Sequence, residues 1–127
     1  HSPGGRVLFV SAEEHRERRD ALEAAGAEVL RIPHPEIPGR VDLARLMVEL
    51  ARREVNEVHV EAGPRLTGAF IEAGLADELL VYMAPCLFGA GLPPAVIKEP
   101  QSPGEALRWH IHSLAPIGGD IRILLRR

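Results

Sequence analysis

The residues with the most chemical potential lie where an extended stretch meets the start of a helix. Glu61 ends the run Val58-His59-Val60, and Gly63-Pro64-Arg65-Leu66-Thr67-Gly68-Ala69 follows. A carboxylate at a strand end can accept hydrogen bonds from polar groups of a ligand. The first amide N–H groups of a helix have no intrahelical acceptor and carry the positive end of the helix dipole. Gly63 and Gly68 would let a ligand approach the backbone, Thr67 offers a hydroxyl and Arg65 a charge. Together they describe a phosphate site. A Gly-Pro start is also a common way to begin a helix that binds nothing, and Glu61 alone could be a solvated strand-end carboxylate.

Ser11 is a second candidate, at the end of the apolar run Val7 to Val10. It also forms the S-x-x-E pattern with Glu14, a capping box that would open a helix and would by itself explain the serine. The remaining chemistry-bearing side chains are dispersed. Of six histidines (His1, His15, His34, His59, His110 and His112), only His110 and His112 have an i, i+2 spacing that could share a strand face. No third ligand stands at a fixed spacing from them, so a packed or solvent-facing pair is the expectation rather than a metal site. His59 is expected to pack between strand and helix. The single cysteine, Cys86, has no evident activating base and reads as a buried structural thiol. Arg16, Arg18 and Arg19 read as a solvated helix face, and Trp109 as core or subunit interface.

These residues need elements to position them. Val7 to Val10 suits a strand buried on both faces. A helix then runs to Gly26, followed by a strand over Glu28 to Ile32. Pro33, Pro35, Pro38 and Gly39 form a loop. Asp42 caps a helix whose apolar positions Leu43, Leu46, Met47 and Leu50 follow the i, i+3, i+4, i+7 template. Val58 and Val60 belong to a third strand. Pro64 stands at the first position of a third helix, whose inner face would be Leu66, Ala69, Phe70 and Ala73, with Gly74 as its stop. Leu79 to Met83 reads as a fourth strand and Pro85 to Pro94 as a structured loop. Arg108 to Leu114 and Ile121 to Leu125 form a hairpin about Ile117-Gly118-Gly119-Asp120. The fold class is therefore α/β: a mostly parallel mixed sheet flanked by helices, with a C-terminal antiparallel β-hairpin, all in a single domain over residues 1–127.

Bulk properties narrow the function classes. With 127 residues, 46% hydrophobic and 26% charged, the composition is that of a globular protein. A net charge of −3 provides no basic field for nucleic acid or acidic lipid. No apolar run approaches the roughly 18 residues of a membrane span. One cysteine allows no internal disulfide and no cysteine-based zinc site, and points to the cytoplasm. No G-x-S-x-G nucleophile signature occurs.

The ordered string Val58-His59-Val60-Glu61-Ala62-Gly63-Pro64, then Leu66, Ala69, Phe70-Ile71-Glu72, Gly74-Leu75, Asp77-Glu78-Leu79, Tyr82, Ala84-Pro85 and Leu87-Phe88-Gly89 resembles the RibD C-terminal reductase family of riboflavin biosynthesis. The family's fold is like that of dihydrofolate reductase. The resemblance implies transfer of a hydride from NADPH to the ribosyl carbon of a pyrimidine ribosylamine 5′-phosphate, leaving a ribitylamino product. It implies that Glu61 contacts this pyrimidine nucleotide-like substrate. It implies that Gly63, Pro64, Arg65, Leu66, Thr67, Gly68 and Ala69 bind the cofactor's pyrophosphate and nearby ribose. By position, Ser11 resembles a strand end near the cofactor's adenosine 2′-phosphate. A homodimer joined through the late strands is also implied. Ala62 replaces the first glycine of the family's V-E-G-G-P, and a methyl group there would interfere if the position needed positive φ. The family's domain is longer, and the half expected to grip the substrate phosphate lies outside these residues. No H-x-E with P-C-x-x-C of the often preceding zinc deaminase is found. Two other readings stay open: a reductase of another small substrate such as a dihydropterin, and a truncated dimerisation module without catalysis.

Overall fold

A computed structural model describes residues 5–127. His1 therefore lies outside the described residues. The chain forms two compact units, one extending to Val58 and the other running from His59 to Arg127.

The first unit holds β1 (Leu8–Ser11), α1 (Arg16–Ala24), β2 (Glu28–Arg31) and α2 (Leu43–Arg52). β1 and β2 pair in parallel, with Leu8 opposite Glu28 and Ser11 opposite Arg31. A parallel pair needs a crossover connection, and α1 supplies it. The helix ends as glycine dictates: Gly26 takes φ 88, its N–H donates to the carbonyl of Glu23, and the N–H of Ala27 donates to that of Leu22. This is the Schellman arrangement. α2 is capped as expected, with the Asp42 carboxylate accepting from the Arg45 N–H at 2.9 Å. Ile32 is the buried hydrophobic side chain of this unit, and its backbone links Ser11 to Asp42.

Two expectations fail in this unit. The capping box at Ser11 does not form. Ser11 is the last residue of β1, its carbonyl accepts from the Ile32 N–H, and its hydroxyl donates to the Glu13 carbonyl at 2.8 Å. α1 begins four residues later than that box requires, behind His15, which gives no side-chain cap. The sheet ladder captures Ser11 before the helix can. β1 is also not buried on both faces, since Phe9 is 43% exposed. A strand with a single ladder partner and one crossover helix in its unit has little to cover its second face.

The second unit holds α3 (Pro64–Glu72), β3 (Glu78–Met83), a 3-10 turn over Pro103–Glu105, β4 (His110–Ile117) and β5 (Asp120–Arg126). Its sheet has the order β3-β5-β4 and is antiparallel throughout. The fold class is the α/β one expected, with parallel and antiparallel ladders hydrogen-bonded as separate sheets. The hairpin turns on Gly118, at φ 60, with Gly119 outside the positive region. Positive φ at the first central residue alone is the II′ pattern, whose twist matches the strands it joins.

The expected third strand is missing. Val58 and Val60 are exposed, and Asn56 to Glu61 make no backbone–backbone hydrogen bonds among the described residues. The alternation is there, but no strand edge pairs with it. His59 consequently does not pack between strand and helix: its side chain is 65% exposed. The face of α3 is also rotated from expectation. Leu66 and Ala73 are exposed, while Gly68 and Ile71 are buried and Pro64 and Thr67 are half-buried. The inner stripe is thus 64, 67, 68, 71, joined by Phe70. The segment around Val96 covers this stripe, and only glycine at 68 allows its approach. A Cβ on Gly68 would stand 1.8 Å from the Val96 carbonyl oxygen.

Candidate functional site

The start of α3 is built from few residues. Gly63 is the N-cap, at φ −69 and ψ 168, and Pro64 occupies the first helical position. The fixed φ of proline suits that position, and its missing N–H would be unsatisfied there anyway. The first turn closes with the Thr67 N–H donating to the Gly63 carbonyl at 3.1 Å. No side chain caps this end. The N–H groups of Arg65 and Leu66 therefore have no protein acceptor among the described residues. A Cβ added to Gly63 would meet nothing within 4 Å, so the approach to these donors is open. Arg65 is exposed beside them. The arrangement can take an anionic oxygen on backbone donors at the positive end of the helix.

The other members of this stretch are occupied locally. The Thr67 hydroxyl donates to the Ala62 carbonyl at 3.3 Å, which ties the loop to the helix. Gly68 faces Val96, and that packing accounts for the glycine by itself. Ala69 is half-buried. Ala62 has an ordinary negative φ, because Glu54 is the non-glycine with positive φ among the described residues. The methyl group therefore meets no backbone strain. Glu61 is largely solvent-exposed, and its Oε1 is 3.5 Å from Nε2 of His59, an ion pair when the imidazole is protonated.

Ser11 belongs to a different place, in the first unit. A cleft of about 180 Å³ opens there beside the carboxyl ends of β1 and β2, lined by Ser11, His15, Arg18 and Arg31 but also by the acidic Glu13 and Glu14. Parallel strands collect ligands at this end. Arg19, also in the lining, is neutralised by Glu23 at 2.9 Å and Glu14 at 3.6 Å. Arg18 and Arg31 form no ion pair among the described residues. Along the chain Arg18 is one of a solvated run, and Arg31 stands apart from any motif. The signal for Arg31 was its place at the end of β2, in register with Ser11.

Two other expectations are corrected. Cys86 is exposed rather than buried. It stands in the loop after β3, where Leu87 and Phe88 also project from the surface, at 102% and 89% exposure. His110 and His112 do not form a simple i, i+2 pair. The ladder shifts register between Ile111 and Ser113, so His112 is the extra residue of a β-bulge. Its Nδ1 lies 3.4 Å from a guanidinium nitrogen of Arg126. Among the described residues, no group of three or more His, Cys, Asp or Glu side chains could hold a metal ion. No described helix is long and apolar enough to cross a membrane.

The model of the RibD C-terminal domain matches residues 3–123, and the chain belongs to that family. The riboflavin biosynthesis protein RibD of Escherichia coli (strain K12) is 52% identical over 56 residues, covering 44% of this chain and 15% of that protein. The 5-amino-6-(5-phosphoribosylamino)uracil reductase of Buchnera aphidicola subsp. Acyrthosiphon pisum is 33% identical over 87 residues, covering 68% of this chain and 42% of the relative. Among solved structures, RibD of Acinetobacter baumannii superposes with a TM-score of 0.73 at 24% identity, over 94% of this chain and 30% of that one. A pyrimidine reductase-like protein of Corynebacterium diphtheriae gives 0.69 at 20% identity, over 94% of this chain and 48% of the other. The chain thus spans less than half the length of each of these relatives.

Proposed function

We propose that this chain is part of a single RibD-type reductase domain that reduces a pyrimidine ribosylamine 5′-phosphate to its ribitylamino form with NADPH. The observation that carries the reading is the open start of α3, with the Arg65 and Leu66 N–H groups unclaimed next to Gly63 and behind Glu61. This arrangement fits a pyrophosphate: two backbone donors, no competing cap and an exposed guanidinium. When bound, NADPH supplies the hydride. The residues of the chain bind and orient. Within the stretch Gly63 to Ala69, Gly63, Arg65 and Leu66 face the phosphates as the cofactor cradle, Thr67 fixes the loop through Ala62, and Gly68 lets the Val96 backbone pack against the helix. Glu61 accepts hydrogen bonds from polar groups of the substrate. Ser11 marks a separate contact for the cofactor's adenosine 2′-phosphate, where Arg18 and Arg31 would supply the charge and the Ser11 hydroxyl would have to turn from the Glu13 carbonyl to donate.

Titration with NADPH, followed through the amide signals of Gly63 to Ala69, tests the cradle. The expected outcome is a saturable shift of Arg65 and Leu66. The absence of any shift at millimolar NADPH would remove the cofactor assignment. Glu61→Gln is expected to raise the substrate KM about tenfold, the scale of a lost hydrogen bond to a charged group. An unchanged KM in a steady-state assay would return Glu61 to solvent.

The apolar side chains on β3 and β4 favour a homodimer as the assembled form. Tyr82, Ile111 and Leu114 are each more than half exposed on strands, and such surface seeks a partner. Light scattering across a concentration series checks this, and a monomer at the highest concentration would count against it.

A further inference from the structure

Resting on the cofactor reading above, we infer that the segment Ala95–Lys98 and Gly68 form a positioning strap that sets the cofactor cradle at the start of α3. Three contacts place this strap along the helix. The Val96 N–H donates to the Pro64 carbonyl at 2.8 Å, in the first turn of the helix. The Val96 carbonyl lies over Gly68, where a side chain would collide with it. The Lys98 N–H donates to the Glu72 carboxylate at 2.5 Å, in the last turn.

The strap thus grips α3 at both ends and presses on its middle. Its first bond is made one residue from the Gly63 cap and one from the Arg65 donor. Pro64 cannot donate, so its carbonyl is the only backbone hydrogen-bonding group by which this residue can be held from outside. Holding that carbonyl fixes the peptide plane that leads into the Arg65 N–H. Donors held before the ligand arrives cost no reorganisation when it binds. Glycine at 68 is required because backbone, not a flexible side-chain tip, occupies the space its Cβ would take. Gly68 is therefore a positioning residue for the cofactor and touches none of it.

Strap docking and cofactor binding are then linked, and linkage is reciprocal. Gly68→Ala pushes the Val96 carbonyl away and loosens the first turn. The expected result is a rise of roughly five- to tenfold in the Kd for NADPH in a binding titration, the lower end of the usual range for coupled sites, with a matching rise in its KM and with kcat and the substrate KM within about twofold. A merely structural role would lower the active fraction and so kcat, leaving both KM values in place. Glu72→Ala and Glu72→Gln provide a second measurement should Gly68→Ala fold poorly. Alanine releases the Lys98 N–H and should raise the NADPH KM in the same direction. Glutamine keeps an acceptor oxygen and should restore it. Wild-type binding of NADPH with an unchanged NADPH KM in both Gly68→Ala and Glu72→Ala would overturn the strap alone. Failure of the wild-type protein to bind NADPH would overturn the cradle and the strap together.

Discussion

Glu54 adopts a conformation that its side chain disfavours. Its φ is 62, and it stands just past the C-cap of α2, with its N–H bonded to the Ala51 carbonyl and the Val55 N–H to that of Leu50. The same hydrogen-bond pattern ends α1 at Gly26 and α3 at Gly74, both glycines with positive φ. The Cβ in this region costs roughly 1–2 kcal/mol. A glycine would instead lose roughly 0.4–1 kcal/mol more chain entropy on folding. The steric term is the larger, so Glu54→Gly is expected to stabilise the protein by about 0.5–1 kcal/mol. Urea denaturation checks this through the transition midpoint. A midpoint that falls would show that Glu54 makes a compensating contact.

The first unit depends on a different kind of residue pairing. Arg53 reaches from the end of α2 to Glu28 at the start of β2, with two hydrogen bonds of 2.7 Å, and also holds Glu49 at 2.9 Å. The bidentate fit is the strong form of this interaction. The hydrogen bonds from Arg53 hold the Glu28 carboxyl below the usual carboxylate range, and its charge adds to the effect. The Glu28 and Glu49 hydrogen bonds raise the Arg53 guanidinium pKa in turn. A folded-state pKa below the unfolded one contributes stability that is full above the unfolded value. That stability is lost as pH falls through the lowered folded value. The window therefore opens near pH 4.3, the ordinary glutamate value, and extends below it. Glu28→Gln should flatten the acid limb of a melting-temperature profile below about pH 4.3. It should leave the slope between about pH 6 and 8 unchanged, where this glutamate does not titrate. An acid limb identical to wild type would show that the pair contributes nothing measurable, as many exposed pairs do.

The same scale shows what the sequence could reveal about the elements. Stops and starts set by local chemistry were legible: Gly26 and Gly74 as helix ends, Asp42 as a cap, Pro64 at a first helical position, and Gly118-Gly119 as the hairpin turn. Ser11 offers two local uses in the sequence, and the non-local ladder to Arg31 and Ile32 overrides the helix cap. The inner face of α3 is hidden from the sequence because an apolar count favours Leu66 and Ala73. The true face is chosen by what lies over it, and Gly68 adds no hydrophobicity to any count. The order of the Glu61–Pro64 site was visible along the chain. The Arg18 and Arg31 side of the Ser11 cleft was not, because it exists only when two parallel strands end together.

At the scale of the whole molecule, the candidate chemistry of Glu61 to Ala69 lies at the opening of the second unit. Val58 ends one unit and His59 begins the other. Asn56 to Glu61 make no backbone–backbone hydrogen bonds among the described residues, although Val58 and Val60 have the alternation of a strand. Amides without such bonds open at little free-energy cost, whereas those of α2 and α3 beyond their first turns are held by helix bonds. Hydrogen exchange should therefore find Asn56 to Glu61 fast beside slow flanking helices. Anything that binds this stretch only when it is ordered must slow that exchange by mass action. NADPH at about one hundred times its Kd should slow the amides of Arg65 and Leu66 by up to about one hundredfold, since ligand-linked protection scales with [L]/Kd. A substrate analogue held by Glu61 should extend the slowing back through Glu61 and Ala62. Fast exchange at Arg65 and Leu66 with saturating NADPH would show that the helix start is not the cradle. Slow exchange at Asn56 to Glu61 in the free protein would show a strand pairing there, with Val58 and Val60 inside it.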